Sequence, residues 1–458
     1  MFDLMLTKSA LAQTFKVLHS FSPDADGVSS RAGFVLSGTN LYGTTAYGGS
    51  SGSGTIFKMN TEGKGFTVLY TFTAGSGPTG TNNDGSHPFC ALVLSGNRLY
   101  GTANQGGSAG SGTIFAVNND GTGFTNLHNF SPLSVGTQTN YDGGYPNAGL
   151  LLTGNSLYGT GDGGGSNGVG TVFKINTDGT DFKILYTFKG PSYRGDDGAY
   201  PLAALTISND VLYGTTGGGG TNGQGTVFSL NTDGTGFQNL HSLTGLNGEG
   251  ADPNAGVILS DKVLYGMTVI GGNLGIGAVY KLNNDGTGYE TLHSFTGGDE
   301  GAGPGNGIIL SGNTLYGPTV GSGTNAGSIF KINTDGGGFA TLHTFPDPLG
   351  GTNYDGRRPL GSLVFSENTL YGTTISGGSE GGGTVFSIFI QPELSVTPLG
   401  TNLVLSWPAS YSDFFLRSAT NLISSVWLTN PQVPVVVNGQ NTVTNPISGS
   451  QQFFRLSK

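Results

Sequence analysis

The chain has 458 residues, of which only 10% are charged while 85 are glycine, and its 27 Phe and 18 Tyr supply the apolar surface that a disordered Gly-rich chain lacks. A net charge of −10 with only 18 Lys and Arg offers no basic stripe for phosphates, which excludes nucleic acid as a partner. No apolar run approaches the ~18 residues needed to cross a bilayer, so no transmembrane segment is expected.

At the N-terminus, Ser9-Ala10-Leu11-Ala12 before Gln13 resembles the small-residue end of a secretory signal, although the apolar run Phe2–Leu6 is short and no basic segment precedes it. Either the start codon lies upstream and residues 1–12 are the remnant of a signal peptide, or the match is chance; the first alternative leads to the expectation of a secreted or cell-surface protein. The single cysteine, Cys90, excludes an internal disulfide.

From residue 13 to 390 one unit recurs. The Leu of each Leu-Tyr-Gly falls at Leu41, Leu99, Leu157, Leu212, Leu264, Leu315 and Leu370, at spacings of 58, 58, 55, 52, 51 and 55. In the second unit the runs are Ala91–Leu94, Leu99–Thr102, Thr113–Val117 and Phe124–Phe130, separated by Gly, Asn and Asp turns. Short β-branched and aromatic runs so bounded predict strands joined by hairpins, and the lack of a 3.6-residue period predicts few helices.

Seven units of four strands predict an all-β fold, a seven-bladed β-propeller. The chain begins with a fourth-strand motif, Leu18-His19-Ser20-Phe21, and the seventh unit ends after its third strand, Gly383–Ile390, so the N-terminal strand is expected to close the ring. Third-strand aromatics at Phe57, Phe115, Phe173, Phe228, Tyr280, Phe330 and Phe386 are expected to fill the space between blades. Small residues such as Ala32-Gly33 and Cys90-Ala91 precede strand 1, where inner strands would converge. Residues 391–458 hold further alternating runs, Asn402–Trp407, Phe414–Ser418, Val433–Val437 and Phe453–Leu456, and predict a small C-terminal β-sandwich-like domain.

The recurring Leu-Tyr-Gly-Thr-Thr, Gly-Gly, Gly-Thr-Val/Ile-Phe, Asp-Gly and Leu-His/Tyr-Ser/Thr-Phe resembles the Gloeo/Verruco tandem repeat of bacterial proteins, over roughly residues 14 to 390. The resemblance implies a secreted or surface-linked bacterial protein and carries no catalytic residues with it.

Loop lengths single out one face. From the acid of an Asp/Glu-Gly pair to the Leu of Leu-Tyr-Gly is 15 positions in every unit, whereas the fourth-strand Leu to that acid runs 8, 15, 15, 12, 9, 8 and 13. Antiparallel order puts these variable loops on one face with the Gly-rich turns, near the central axis, and loops that vary on a fixed scaffold are where binding usually sits. Their aromatics and arginines, Tyr141, Tyr145, Tyr193, Arg194, Tyr200, Tyr354 and Arg357, are the candidate ligand-binding residues.

Other constellations read as structural. Asp26, Asp84, Asp142, Asp197, Glu249, Glu300 and Asp355 form a ring of carboxylates that could hold a cation, but the favoured reading is a turn residue bonding nearby backbone or the next blade. His19, His128, His241, His293 and His343 alternate with Tyr70 and Tyr186 in the fourth strand, a substitution no metal site would accept, so they are surface or packing rings. His87 alone stands in a variable-face loop and is a weak catalytic candidate. Gly-x-Ser-x-Gly matches at Ser50, Ser108, Ser166 and Ser379 lie in hairpin turns without partners. The opposite-face turns of the Asp120-Gly121 and Asp178-Gly179 class are explained by hairpin geometry.

No catalytic residue, metal or cofactor is therefore assigned, and a monomer is expected. The expected function is an exported, non-catalytic binding or scaffold propeller that engages a glycan or a protein. The alternatives are a polysaccharide lyase or hydrolase using loop carboxylates and a purely structural surface module.

Overall fold

The computed structural model describes residues 14–457 apart from 78, 191–195, 322–324, 348–352, 410, 421–425 and 448–451. The signal-peptide remnant expected at 1–12 lies outside the described residues. Among those described there is no α-helix, and one short 3-10 turn, Gly298–Glu300, interrupts an otherwise all-β chain. The chain divides into two compact units, the larger comprising Phe15–Val364 with Tyr371–Ile388 and the smaller built mainly from Phe389–Lys458.

The repeats fold as seven four-stranded sheets. In repeat 2 the strands are Val93–Ser95, Arg98–Ala103, Thr113–Asn118 and Thr125–Asn129, each antiparallel to the next. The first strand is shorter than the Ala91–Leu94 run predicted. Its small residues are spent on approach to the neighbouring repeat rather than on pairing: a Cβ on Gly149 would lie 3.3 Å from Ala91 O, and one on Gly256 2.6 Å from Ala204 O. The sheet of repeat 7 joins Val364–Ser366, Thr369–Thr373 and Thr384–Phe389 to Thr14–Ser20 from the start of the chain.

Alternation along the strands gives each sheet two apolar faces. Tyr42, Ile56 and Phe72 of repeat 1 pack with Leu92, Leu99, Phe115 and Val117 of repeat 2. The third-strand aromatics are all 0% exposed, as inter-sheet filling requires. They also explain the glycine of Leu-Tyr-Gly, because a Cβ on Gly101 would lie 2.7 Å from the Phe115 ring. The last seam is built like the first: Phe34, Leu41, Phe57 and Met59 of repeat 1 pack with Tyr371 and Val385 of repeat 7. Thr373 Oγ1 donates to Ser30 O at 3.0 Å and Ala32 O at 3.2 Å, matching Thr102 Oγ1 to Ala148 O at 3.2 Å.

In the smaller unit, Ser395–Leu399, Asn402–Pro408, Gln440–Pro446 and Val435–Val437 form one sheet, and Leu428–Thr429, Phe415–Ala419 and Phe453–Ser457 another. Leu405, Trp407, Tyr411, Phe414, Leu416 and Val443 form their common core. The strand Gln440–Pro446 was not expected from its Asn and Thr content. It is set by the preceding Asn438-Gly439, both at positive φ (50° and 74°), the hairpin turn that returns the chain along Val435–Val437.

Candidate functional site

The chain entering each repeat is a strap laid across the sheet from its outer strand to its inner one. In repeat 2, Asn126 of the fourth strand donates Nδ2 to Asn83 O at 2.6 Å and Thr113 of the third donates Oγ1 to Asp84 O at 3.1 Å. Ser86 then bridges Gln105 just past the second strand, and the His87 carbonyl accepts Asn104 N–H. The glycine after the acid is required by this closeness, since a Cβ on Gly85 would lie 2.4 Å from Thr113 Oγ1. The strap has one path, which is why its length is constant.

This geometry corrects the expected position of the variable loops. The length changes fall before the strap begins, so they lie over the outer strands, and only the constant strap reaches the inner strand. They do share a face with the Gly-rich turns: the Thr79 and Thr137 carbonyls rest against Gly110 and Gly168 of those turns.

The carboxylate ring and the His/Tyr ring prove to be one feature. His19 meets Asp26 at 3.0 Å, Tyr70 Asp84 at 2.8 Å, His128 Asp142 at 3.0 Å, Tyr186 Asp197 at 2.7 Å, His241 Glu249 at 2.5 Å, His293 Glu300 at 3.1 Å and His343 Asp355 at 3.3 Å. Each ring stacks on an aromatic of the following repeat, from His19 on Phe66 at 3.8 Å to His343 on Phe15 at 3.7 Å, the latter closing the series. Backbone N–H groups complete the carboxylates, as Thr73 N does for Asp84 at 2.9 Å and Ser131 N for Asp142 at 3.0 Å. Burial, outweighing the carboxylate, lowers the pKa of His19 and His343. Among the described residues no group of three or more His, Cys, Asp or Glu could hold a metal. The pairing was readable in the sequence as one ring donor and one acid per unit, but it was missed because the two were weighed separately.

The same strap holds a second ring. Three residues after each acid the backbone is left-handed: Ser29 (φ 59°), His87 (59°), Tyr145 (51°), Tyr200 (59°), Asp252 (56°), Gly303 (57°) and Arg358 (56°). Six of the seven are not glycine, although such conformations disfavour bulky residues. Each N–H donates to the preceding sheet, from His87 to Ser53 O at 2.9 Å through to Ser29 to Gly382 O at 3.1 Å. The backbone is therefore identical round the series while the side chain differs in every repeat but two.

The predicted binding residues divide accordingly. Tyr145 and Tyr200 hold the left-handed position in repeats 3 and 4, with rings against Gly163 and Gly218. Tyr141 and Tyr354, 97% and 68% exposed, each precede the acid, where the strap crosses the outer strand. Arg357 is tied to Asp347 at 2.5 Å. Tyr193 and Arg194 lie outside the described residues. The five described residues thus occupy three kinds of position on the strap.

Sequence reasoning missed the polar groups where the strap meets the inner strands. Arg31 lies over Phe89 at 4.9 Å and Tyr47 at 5.6 Å, with His87 edge-on to Tyr47. Asn104 Nδ2 donates to Asn147 Oδ1 at 2.9 Å, and Asn147 Nδ2 to Asp162 Oδ2 at 3.2 Å. Burial raises the Asp162 carboxyl to about 6 against the opposing effect of that hydrogen bond. The signal for Asn104 and Asp162 was that they are polar where the other repeats carry Ala46, Gly217, Val269, Val320 and Ile375.

No curated protein matches the sequence. Among solved structures, oligogalacturonate lyase from Vibrio parahaemolyticus superposes with a TM-score of 0.50 at 10% identity, covering 83% of this chain and 98% of that one. A puromycin-hydrolyzing peptidase of Mycobacterium tuberculosis gives 0.47 at 11% identity over 86% and 61% of the two chains. TolB of Acinetobacter baumannii gives 0.37 at 13% over 62% and 58%. At such identities the first shows a propeller-like all-β fold and nothing of activity. No helix among the described residues is long and apolar enough to cross a membrane. Residues 78–252 and 246–397 match the Gloeobacter/Verrucomicrobia repeat, and the chain belongs to that bacterial repeat family.

Proposed function

We propose that residues 13–390 form a seven-bladed propeller closed by its N-terminal strand, carried by an exported protein that binds a glycan or protein on the strap face without catalysis. The observation that carries this reading is the left-handed ring: one strained backbone position holds Ser29, His87, Tyr145, Tyr200, Asp252 and Arg358 in turn. Strain of this kind costs ~1–3 kcal/mol per residue and is kept where the side chain is used. Backbone constancy with side-chain diversity is how a rigid scaffold presents a recognition surface. The seven strap carboxylates are engaged by His, Tyr and backbone groups, which favours binding over acid–base chemistry at those residues.

Screening the purified chain on a glycan array and in parallel against polysaccharides for cleavage tests the reading. Binding without turnover, weakened by substitutions in the left-handed ring, is expected. Cleavage that depends on Asp162 or a strap acid would favour the lyase or hydrolase alternative instead.

A further inference from the structure

Two departures from the repeat meet at the seam between repeats 6 and 7. The interval from the Leu of Leu-Tyr-Gly to the Gly of the third strand is 12 in repeat 6, from 315 to 327, and 13 in the other six. Directly across the seam, the strap of repeat 7 carries Arg357 and Arg358. Six repeats have Val28, Ser86, Gly144, Ala199, Ala251 and Ala302 in place of the first of these. A cavity of about 240 Å³ is bounded by Val320, Gly321, Asn325, Ala326, Asp347, Arg357 and Arg358.

The groups in it have distinct states. Asn325 is spent on structure, accepting from Gly327 N at 3.0 Å and donating to Gly298 O. Arg357 is neutralised and oriented by Asp347 at 2.5 Å. Arg358 is fixed through its backbone, its N–H donating to Ala326 O at 2.6 Å and its carbonyl accepting from Ile375 N at 3.3 Å. Its side chain is exposed, and among the described residues its guanidinium has no partner. It also stands in the left-handed ring, at φ 56°, where repeat 6 has Gly303.

We propose that this cavity binds the carboxylate of an acidic saccharide, with Arg358 as its bidentate partner and Arg357 as a second donor held in place by Asp347. The proposal rests on the glycan-binding reading above. A guanidinium fork matches a planar carboxylate. With Asp347 cancelling one of the two arginines, the lining carries one net positive charge, which suits a monoanion better than a phosphate dianion. The volume lies under the ~300–1,000 Å³ of sites that enclose drug-sized ligands, so it admits a single sugar unit. In a chain of net charge −10, a cavity with a net positive lining is where an anion would be drawn.

The test is NMR titration of the full chain with D-glucuronate, D-glucose and inorganic phosphate, repeated on Arg358→Gly and Asp347→Asn. Glucuronate is expected to bind in preference to both others and to weaken at least tenfold in Arg358→Gly, while that variant melts no lower than the parent because glycine suits the backbone. Asp347→Asn should move preference toward phosphate. Undiminished glucuronate binding by Arg358→Gly, equal binding of phosphate by the parent, or no glucuronate binding would overturn the site. If neutral glycans on the array still bind, only the site fails; if no glycan binds, the glycan reading fails with it.

Discussion

Tyr70 and His128 do one job with different chemistry, and the difference is measurable. Burial first, then the hydrogen bond to Asp84, raises the Tyr70 phenol, so it stays a donor at every accessible pH. His19 and His343 are depressed by burial below their ordinary 6.5, so the folded protein binds fewer protons there than the unfolded chain. Their contribution is full above about pH 6.5 and is lost as pH falls through the lowered values. Thermal melts should show a falling melting temperature from pH 7 to 5, flattened in the double variant His19→Tyr, His343→Tyr; an unchanged slope would contradict the assignment. Asp162 has the opposite sign, since its raised carboxyl favours the fold only at low pH and loses that contribution as pH rises through about 6. Asp162→Asn should stabilise by roughly 1–3 kcal/mol above pH 7 and do little at pH 4. Phe115→Ala, which empties a fully buried site between two sheets, should cost ~3–5 kcal/mol by denaturant titration.

Among the elements, the strap and the N-terminal strand decide the architecture. Removing residues 14–21 takes the fourth strand from repeat 7, the Phe15 stack under His343, and Phe21 from the seam between repeats 7 and 1. Aggregation or a large fall in melting temperature should follow, because two sheet edges are bared; a truncated protein that melts like the parent would contradict closure by this strand. Strand positions were readable because Leu-Tyr-Gly, Gly-Thr and the fourth-strand His or Tyr recur at nearly fixed spacing. The radial position of the loops was not, since chain order assigns a face but cannot tell which strand a loop crosses. The opposite-face turns were read too simply for a similar reason. Hairpin geometry accounts for Asp120, which accepts from Thr122 N at 2.9 Å. Gly121 is also held against the Leu69 carbonyl of the preceding repeat, a contact no local pattern reveals.

Across the whole molecule the labour is divided: the seams hold the structure and the strap face presents side chains. The sequence supplied exposed aromatics such as Tyr141 and Tyr354, and it could not supply the left-handed ring. Positive φ at His87 or Tyr200 comes from N–H bonds to the preceding sheet, a constraint set by packing rather than by the residue itself. The proposed binding rests on that division, and one comparison tests it. A ligand taken from the array should be titrated against the parent and against Tyr145→Asn with Tyr200→Asn, since Asn tolerates the left-handed backbone. The controls are Asp120→Ala with Asp178→Ala on the opposite face. The ring variant should lose affinity while its melting temperature falls only slightly, Tyr200 being exposed and Tyr145 half-buried, and the opposite-face variant should bind as the parent does. Loss of binding in the opposite-face variant, or a ligand retained in full by residues 393–458 alone, would contradict the account.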